Sequence, residues 1–261
     1  MRGGIYSGLY FKWLLPKSII IKEAMPNSSI DPIGRTTEDR LIWLSKIFLQ
    51  LEGKISVPKL ISIIKEGDYT YLITKKIKGK SLAQILYTTT KDRPFTSLSK
   101  DDQRYIIDLL VKTIKAVEEL HNLNIVHRDL TPSNILFGKK GIVSLIDLEM
   151  SHDILNLAPF PPFVSGTHGY VAPEQLKYAK PEKTEDVYSL GCITIKLLTG
   201  EHPGKIIDMK KFSVTQKNLL AICANATLCD LALACIDPNP LNRPSPRDMS
   251  EQLILYCKKF L

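Results

Sequence analysis

An acid and an amide stand five residues apart, Asp129 and Asn134, in the stretch "IVHRDLTPSNILF" (125–137). Pro132 blocks a helix through it, and apolar residues flank it, so the polar groups sit in a tight loop held from both ends. Thirteen residues after Asn134, Asp147 follows the apolar pair Leu145–Ile146 in "SLIDLEM". A buried strand ending in an acid, beside a second acid and an amide, is a poor packing choice. It suits magnesium, which takes a few carboxylate or amide oxygens from protein and its remaining ligands from phosphate and water. Far upstream, Lys22 follows three isoleucines in "IIIK" (19–22), which argues against an ordinary exposed strand lysine.

The elements that must position these groups follow from periodicity. "GLYFKWL" (8–14) and "SIIIKEA" (18–24) read as two short strands with Pro16 and Lys17 between them. "DPIGRTTEDRLIWLSKIFLQLEG" (31–53) predicts a helix, with Leu41, Leu44, Phe48 and Leu51 at helical spacing. Asp31 can cap it with Pro32 at the first helical position, or Thr36 and Asp39 can form a capping box; Gly53 ends it. "KLISIIKEGDYTYLITKKI" (59–77) predicts a hairpin turning at Gly67–Asp68. Ser81–Tyr87 predicts a short helix and 88–98 a polar loop. Residues 99–123 predict a long amphipathic helix capped by Ser99, burying Ile106, Leu109, Leu110, Ile114, Val117 and Leu120. Short strands are expected around 134–137 and 142–146, and the apolar periods are helical from 184 onward. The expected class is therefore α+β, with a small β-rich lobe, a link near 75–80 and a larger, mostly helical lobe. Clefts between lobes are favoured ligand sites.

The chain has 261 residues, 44% of them hydrophobic and 24% charged, which suits a globular protein with a sizeable core. Its net charge, 35 − 27 = +8, favours acidic partners such as phosphates or acidic proteins; no motif points to specific nucleic-acid binding. Five cysteines, an odd number without a CxxC pair, are expected as reduced core thiols of a cytoplasmic protein. No stretch has 18 apolar residues, so no transmembrane segment is expected. The apolar run Gly4–Phe11 is cut short by Lys12 without a cleavage site, so it does not read as a signal peptide.

Taken together these segments resemble the eukaryotic-type protein kinase catalytic domain, of the serine/threonine kind. "HRDLTPSN" (127–134) resembles the catalytic loop, and "DLE" (147–149) sits where D-F-G is expected. "GTHGYVAPEQ" (166–175) resembles the end of an activation segment, and "DVYSLG" (186–191) a buried helix start. "DPNPLNRPS" (237–245) matches the region of a late arginine, and "IIIK" the V-A-I-K strand. The resemblance implies ATP and Mg²⁺ as cofactors and a protein substrate. It implies that Asp129 orients the acceptor hydroxyl, that Asn134 and Asp147 hold the metal, and that Lys22 grips the inner phosphates and pairs with Glu38. Glu38 is preferred to Asp39 because Leu41 and Ile42 then fall where the helix should pack on the sheet. The nucleotide would be lined by Gly3, Gly8, Tyr10 and Ile20 above, Leu136 below, Thr74 behind, and the link Lys75–Ile77 beside the base. Asp186 would hold the His127–Arg128 turn, and Glu174 would pair with Arg243. Thr167, seven residues before Glu174, would bond Asp129 and favour serine or threonine as acceptor. Arg128 before Asp129 implies control by activation-loop phosphorylation, with Ser165 the nearest acceptor. The lysines of "KKIKGK" (75–80) suggest a solvated edge or docking of acidic substrates. The whole chain would be one kinase domain: lobe 1–74 lacking its first strand, hinge 75–80, and lobe 81–261.

Four positions depart from the family pattern. In "RGGIYSGLY", Ile5 stands where the middle glycine is expected, unless the register slips to Gly4, and the chain starts inside this loop. Ile20 replaces a small alanine over the base. Thr131 replaces the catalytic-loop lysine, and losing one such contact costs on the order of 10²-fold in rate. Glu149 replaces a flexible glycine and could restrict the segment or compete at the metal. These departures keep open a binding or scaffolding module of the pseudokinase type. A small-molecule kinase is less compatible with an A-P-E segment paired to a late arginine.

Overall fold

In the computed structural model, which describes residues 4–12, 15–177, 179–223 and 225–261, the chain opens with four antiparallel strands. They are β1 (Ile5–Lys12), β2 (Leu15–Ala24), β3 (Leu60–Glu66) and β4 (Tyr69–Lys75), in sheet order β1-β2-β4-β3. The turn of the β3–β4 hairpin falls at Gly67–Asp68, where Gly67 takes a φ of +59° that suits a residue without Cβ. Helix α1 (Thr37–Leu51) packs on the sheet through Leu41, Leu44, Ile47, Phe48 and Leu51.

Between the two helix starts open in the sequence, Thr36 and Asp39 prevail. The Thr36 amide donates to Asp39 Oδ2 at 2.7 Å. Asp31 instead accepts from the amides of Ile33 and Arg35 and pairs with the Arg35 side chain, closing a loop before the helix. Ile42, expected on the packing face, is 38% exposed, and Ile47 takes that place.

The link enters β5 (Gly79–Ser81), which joins β7 (Ile135–Gly138) and β8 (Val143–Leu145) in a second sheet. Gly79 lies opposite Gly138, and a Cβ on it would stand 2.5 Å from the Phe137 carbonyl oxygen. The link is thereby pinned to the hairpin that carries the polar loop.

Beyond it lie α2 (Leu82–Thr90) and α3 (Lys100–Asn122), capped by Ser81 and Ser99. The short β6 (Ile125–Val126) pairs with β9 (His152–Asp153). Then come α4 (Pro173–Leu176), α5 (Lys183–Thr199), α6 (Pro203–Ile206), α7 (Gln216–Cys223), α8 (Ala226–Cys235) and α9 (Pro246–Phe260). Helix α5 is buried almost all round, as a central helix must be. It contacts α3, α6, α7 and α8, and at Gly191 an added Cβ would meet Cys235. One continuous apolar cluster runs from Leu72 and α1 through α3 and α5 to Tyr256.

Cys192, Cys235 and Cys257 are free thiols as expected, while Cys223 and Cys229 lie with their sulfurs together and their Cα atoms 7.6 Å apart, farther than a disulfide ordinarily spans. The end of α7 and the start of α8 fold back on each other and bury both sulfurs, a meeting that spacing alone does not show. No helix among the described residues is long and apolar enough to cross a membrane.

Candidate active site

The polar loop is held by one buried carboxylate. Asp186, fully buried near the start of α5, accepts from the amides of His127 and Arg128 and from His121 Nε2, each at 2.8 Å. Burial alone would raise its pKa, but the hydrogen bonds it accepts from His121 and from the His127 amide hold it below the usual carboxylate range. The arrangement stabilises Arg128 at a φ of +66°, a left-handed conformation unfavourable for a side chain of that size. The Asp129 amide donates to His127 Nδ1, and His127 Nε2 lies 3.0 Å from the Ile146 carbonyl. An amide only donates and a carbonyl only accepts, so His127 is the neutral tautomer with its proton on Nε2.

Asp129 projects into a cleft of about 690 Å³ shared with Lys22, Asp147, Glu149, Arg40 and Thr167. Its Oδ1 accepts from the Thr167 amide at 2.9 Å and the Thr167 hydroxyl at 2.8 Å. Asn134 Nδ2 donates to the Asp129 carbonyl at 2.9 Å, which leaves its amide oxygen as the available ligand atom. The Ile146 amide donates to the Asn134 carbonyl, so Asp147 follows directly beside Asn134. A cleft-lining carboxylate with an amide oxygen next to it offers the hard donors a magnesium ion takes. The residues fit a metal that draws its other ligands from phosphate and water.

Lys22 reaches Asp147, with Nζ 2.6 Å from Oδ1, and also contacts Glu149 Oε1. Burial would lower the Lys22 pKa, but the charges of Glu149 and Asp147 raise it, so the ammonium form is held. Burial and the neighbouring Asp147 push Glu149 up, while Lys22 opposes them. The expected Lys22–Glu38 pair does not form. Glu38 Oε1 lies 2.9 Å from both Lys65 Nζ and Thr70 Oγ1, which hold its carboxyl low. The reason is a rival set of partners on β3 and β4, Lys65 and Thr70. With Leu41, Leu44 and Phe48 inward and Ile42 outward, α1 presents Thr37, Arg40 and Leu41 to the cleft.

Arg128, expected to serve control by the activation segment, has an acidic partner of its own. It is buried, with Nε 2.8 Å from Glu185 Oε2 and Nη1 2.7 Å from the Phe163 carbonyl. Gln175 completes the clamp by donating to the Arg128 and Ser165 carbonyls. An acid before Asp186 and a glutamine after Glu174 were the available signals, and neither reveals its partner from sequence. Glu174 and Arg243 do meet, with Nη2 3.0 Å from Oε2.

The nucleotide-lining residues are only partly gathered. Ile20 and Lys22 share a face of β2, opposite Thr74 and Leu72 of β4. Leu136 lies on β7 opposite Ser81 and Ser144. A cavity of about 540 Å³ at the link is lined by Ser18, Val57, Lys59 and Lys75–Lys78, and neither Ile20 nor Leu136 lines it. Ile5 and Gly4 line the main cleft, and Ile5 lies opposite Lys22 in the sheet. Gly8 lies opposite Ile19. Gly3 falls outside the described residues, and Tyr10 is described only in its backbone, opposite Lys17. Thr131 is buried, and its carbonyl accepts the Asn134 amide.

The protein kinase domain family model matches residues 36–257. A chain of Dictyostelium discoideum named as a probable serine/threonine-protein kinase is 24% identical over 254 residues, covering 95% of this chain and 57% of that relative. Dual specificity protein kinase zak2 of the same organism is 29% identical over 160 residues, 59% of this chain and 22% of the relative. Probable serine/threonine-protein kinase irlA, also from Dictyostelium discoideum, is 32% identical over 232 residues, 84% of this chain and 16% of the relative. The chain thus spans 57% or less of the length of these relatives. With a two-lobed α+β architecture and Asp129, Asp147 and Lys22 gathered around one cleft, the chain belongs to the protein kinase family.

Proposed function

We propose that this chain transfers the terminal phosphoryl group of ATP to a serine or threonine hydroxyl of a protein. The carrying observation is the Asp129 carboxylate, held by both the amide and the hydroxyl of Thr167 in the cleft that also holds Lys22 and Asp147. Asp129 would accept a hydrogen bond from the acceptor hydroxyl and orient it toward the phosphate. Lys22 would carry positive charge to the inner phosphates. Asn134 and Asp147 would hold magnesium, which would neutralise phosphate charge when bound. The two donors that Thr167 aims at Oδ1 leave Oδ2 to face the substrate, so the segment orients the base.

The test is phosphate transfer from radiolabelled ATP with magnesium to a basic generic protein and to the chain itself. Phosphoserine or phosphothreonine is expected, and Asp129→Asn should lower the rate by at least ~10²-fold. Labelling that survives this substitution, or phosphotyrosine as the main product, would sink the reading. One observation favours a nucleotide-free binding role instead: Lys22 is engaged by two carboxylates, one from Glu149 where the family has glycine. Absence of any ATP-dependent thermal shift would support that alternative.

A further inference from the structure

The lysine of an ATP site needs an acidic partner to hold its amine toward the phosphates, and α1 does not supply one. It offers Thr37, Arg40 and Leu41 to the cleft, and Glu38 is engaged with Lys65 and Thr70 on another side. The acid comes from the segment after Asp147. We propose that Glu149 is the positioning residue for Lys22, so that the anchor of the phosphate-gripping lysine has moved from helix α1 to the metal-binding segment; this rests on reading the cleft as an ATP site.

Three independent features carry it. Asp147 has φ +62° and ψ +52°, which turns the chain sharply into the single 3-10 turn Leu148–Met150. Leu148 is fully buried in the apolar cluster, so the turn is fixed and Glu149 is directed back to β2 and Lys22. Arg40 faces the same cleft. Its Nη2 bonds Thr37 Oγ1, while its buried Nε has no partner among the described residues. Arg40 is thus a second basic side chain over the cleft, on the helix, facing Asp147 and Glu149 of the segment. Finally, α1 is tied to the same segment without an ion pair to Lys22. Trp43 Nε1 donates to the Ser151 carbonyl at 2.9 Å and Gln50 to Asp153 at 2.9 Å, and just before the helix Arg35 lies 4.1 Å over the Phe163 ring.

The arrangement resolves a conflict at Asp147. In the structure one of its oxygens serves Lys22, yet the same carboxylate is the metal's ligand. With glycine at 149, Lys22 would lose its partner whenever Asp147 turned to the metal. Glu149 lets Lys22 stay in place while Asp147 changes partner.

The test compares the wild type with Glu149→Gln, Glu149→Asp, Glu38→Gln and Lys22→Ala. Two readouts are taken: labelling of Lys22 by an amine-reactive ester, read by mass spectrometry without nucleotide, and ATP affinity in EDTA beside KM and kcat with magnesium. Glu149→Gln should raise Lys22 labelling and weaken ATP binding and KM by about 10-fold or more, the worth of a charged hydrogen bond. Glu149→Asp should restore part of the affinity, and Glu38→Gln should stay within about twofold of wild type. Loss of ATP affinity in Glu38→Gln with Glu149→Gln unchanged would overturn the proposal. Increased labelling without a change in affinity or KM would overturn the positioning role and leave a merely structural pair. A wild type that neither binds nor turns over ATP would refute the kinase reading, while Lys22 labelling would still decide the pairing.

Discussion

Glu185→Gln removes the charge that neutralises Arg128, and its effect can be worked from the contacts. Both side chains are 1% exposed, with Nε and Oε2 2.8 Å apart. Breaking a buried ion pair by deleting one partner costs about 3–5 kcal/mol, because the remaining charge stays desolvated. Glutamine keeps an oxygen that can accept from Nε, and Arg128 keeps the Phe163 carbonyl at 2.7 Å and the Met150 carbonyl at 3.3 Å. The expected loss is therefore ~2–3 kcal/mol for Gln and nearer ~5 kcal/mol for Leu. Burial pushes the Glu185 carboxyl up to about 7 against the pull of Arg128, so the measurement belongs at pH 8, where the carboxylate is ionised. Urea unfolding followed by tryptophan fluorescence gives the free energy. The same pair predicts that an internal acid holds the segment where other kinases would need a phosphate. Phosphatase treatment should leave activity within about twofold, and Ser165→Ala should do the same. A stability loss below ~0.5 kcal/mol in Glu185→Gln would refute the buried-pair argument. Activity abolished by phosphatase and restored by rephosphorylation would show Arg128 facing a phosphate after all.

Other perturbations address the frame around the site. Arg243→Ala leaves Glu174 without its bidentate partner and should destabilise by about 3–5 kcal/mol, with Glu174→Gln in the same background recovering part of the loss in urea titrations. Gly79→Ala drives a methyl against the Phe137 carbonyl and should cost about 1–3 kcal/mol in the same assay. Burial and the Arg128 charge push His152 down to about 4, with Lys180 adding to this and Asp153 opposing. The unfolded chain then binds more protons between pH 4 and about 6.5, so stability rises with pH across that window. Acidification through it should remove ~1–3 kcal/mol, and His152→Gln should flatten that slope in pH-dependent thermal melts.

Local chemistry was legible wherever a residue's role depends on neighbours a few positions away. The Asp129–Asn134 loop, the hairpin turn at Gly67–Asp68, the Ser99 cap and the α3 stripe all answer to sequence spacing of that kind. So did the meeting of Asp186 with the His127–Arg128 turn, through a family resemblance that carries long-range information. The helix start was the intermediate case: Asp31 and Thr36 both carry capping chemistry, and Arg35 settled the matter by pairing with Asp31.

By itself the sequence determined the architecture and the set of reactive groups, because apolar periodicity and turn residues act on every local segment at once. Tertiary structure decided the partners. Lys22 meets Glu149 across 127 positions, Arg128 meets Glu185 across 57, and Cys223 meets Cys229 only because α7 and α8 fold back on each other. Glu38 shows why. The expected stripe Leu41, Leu44, Phe48 and Leu51 is buried, yet Glu38 finds Lys65 and Thr70 on β3 and β4, and no local pattern names partners that lie so far along the chain.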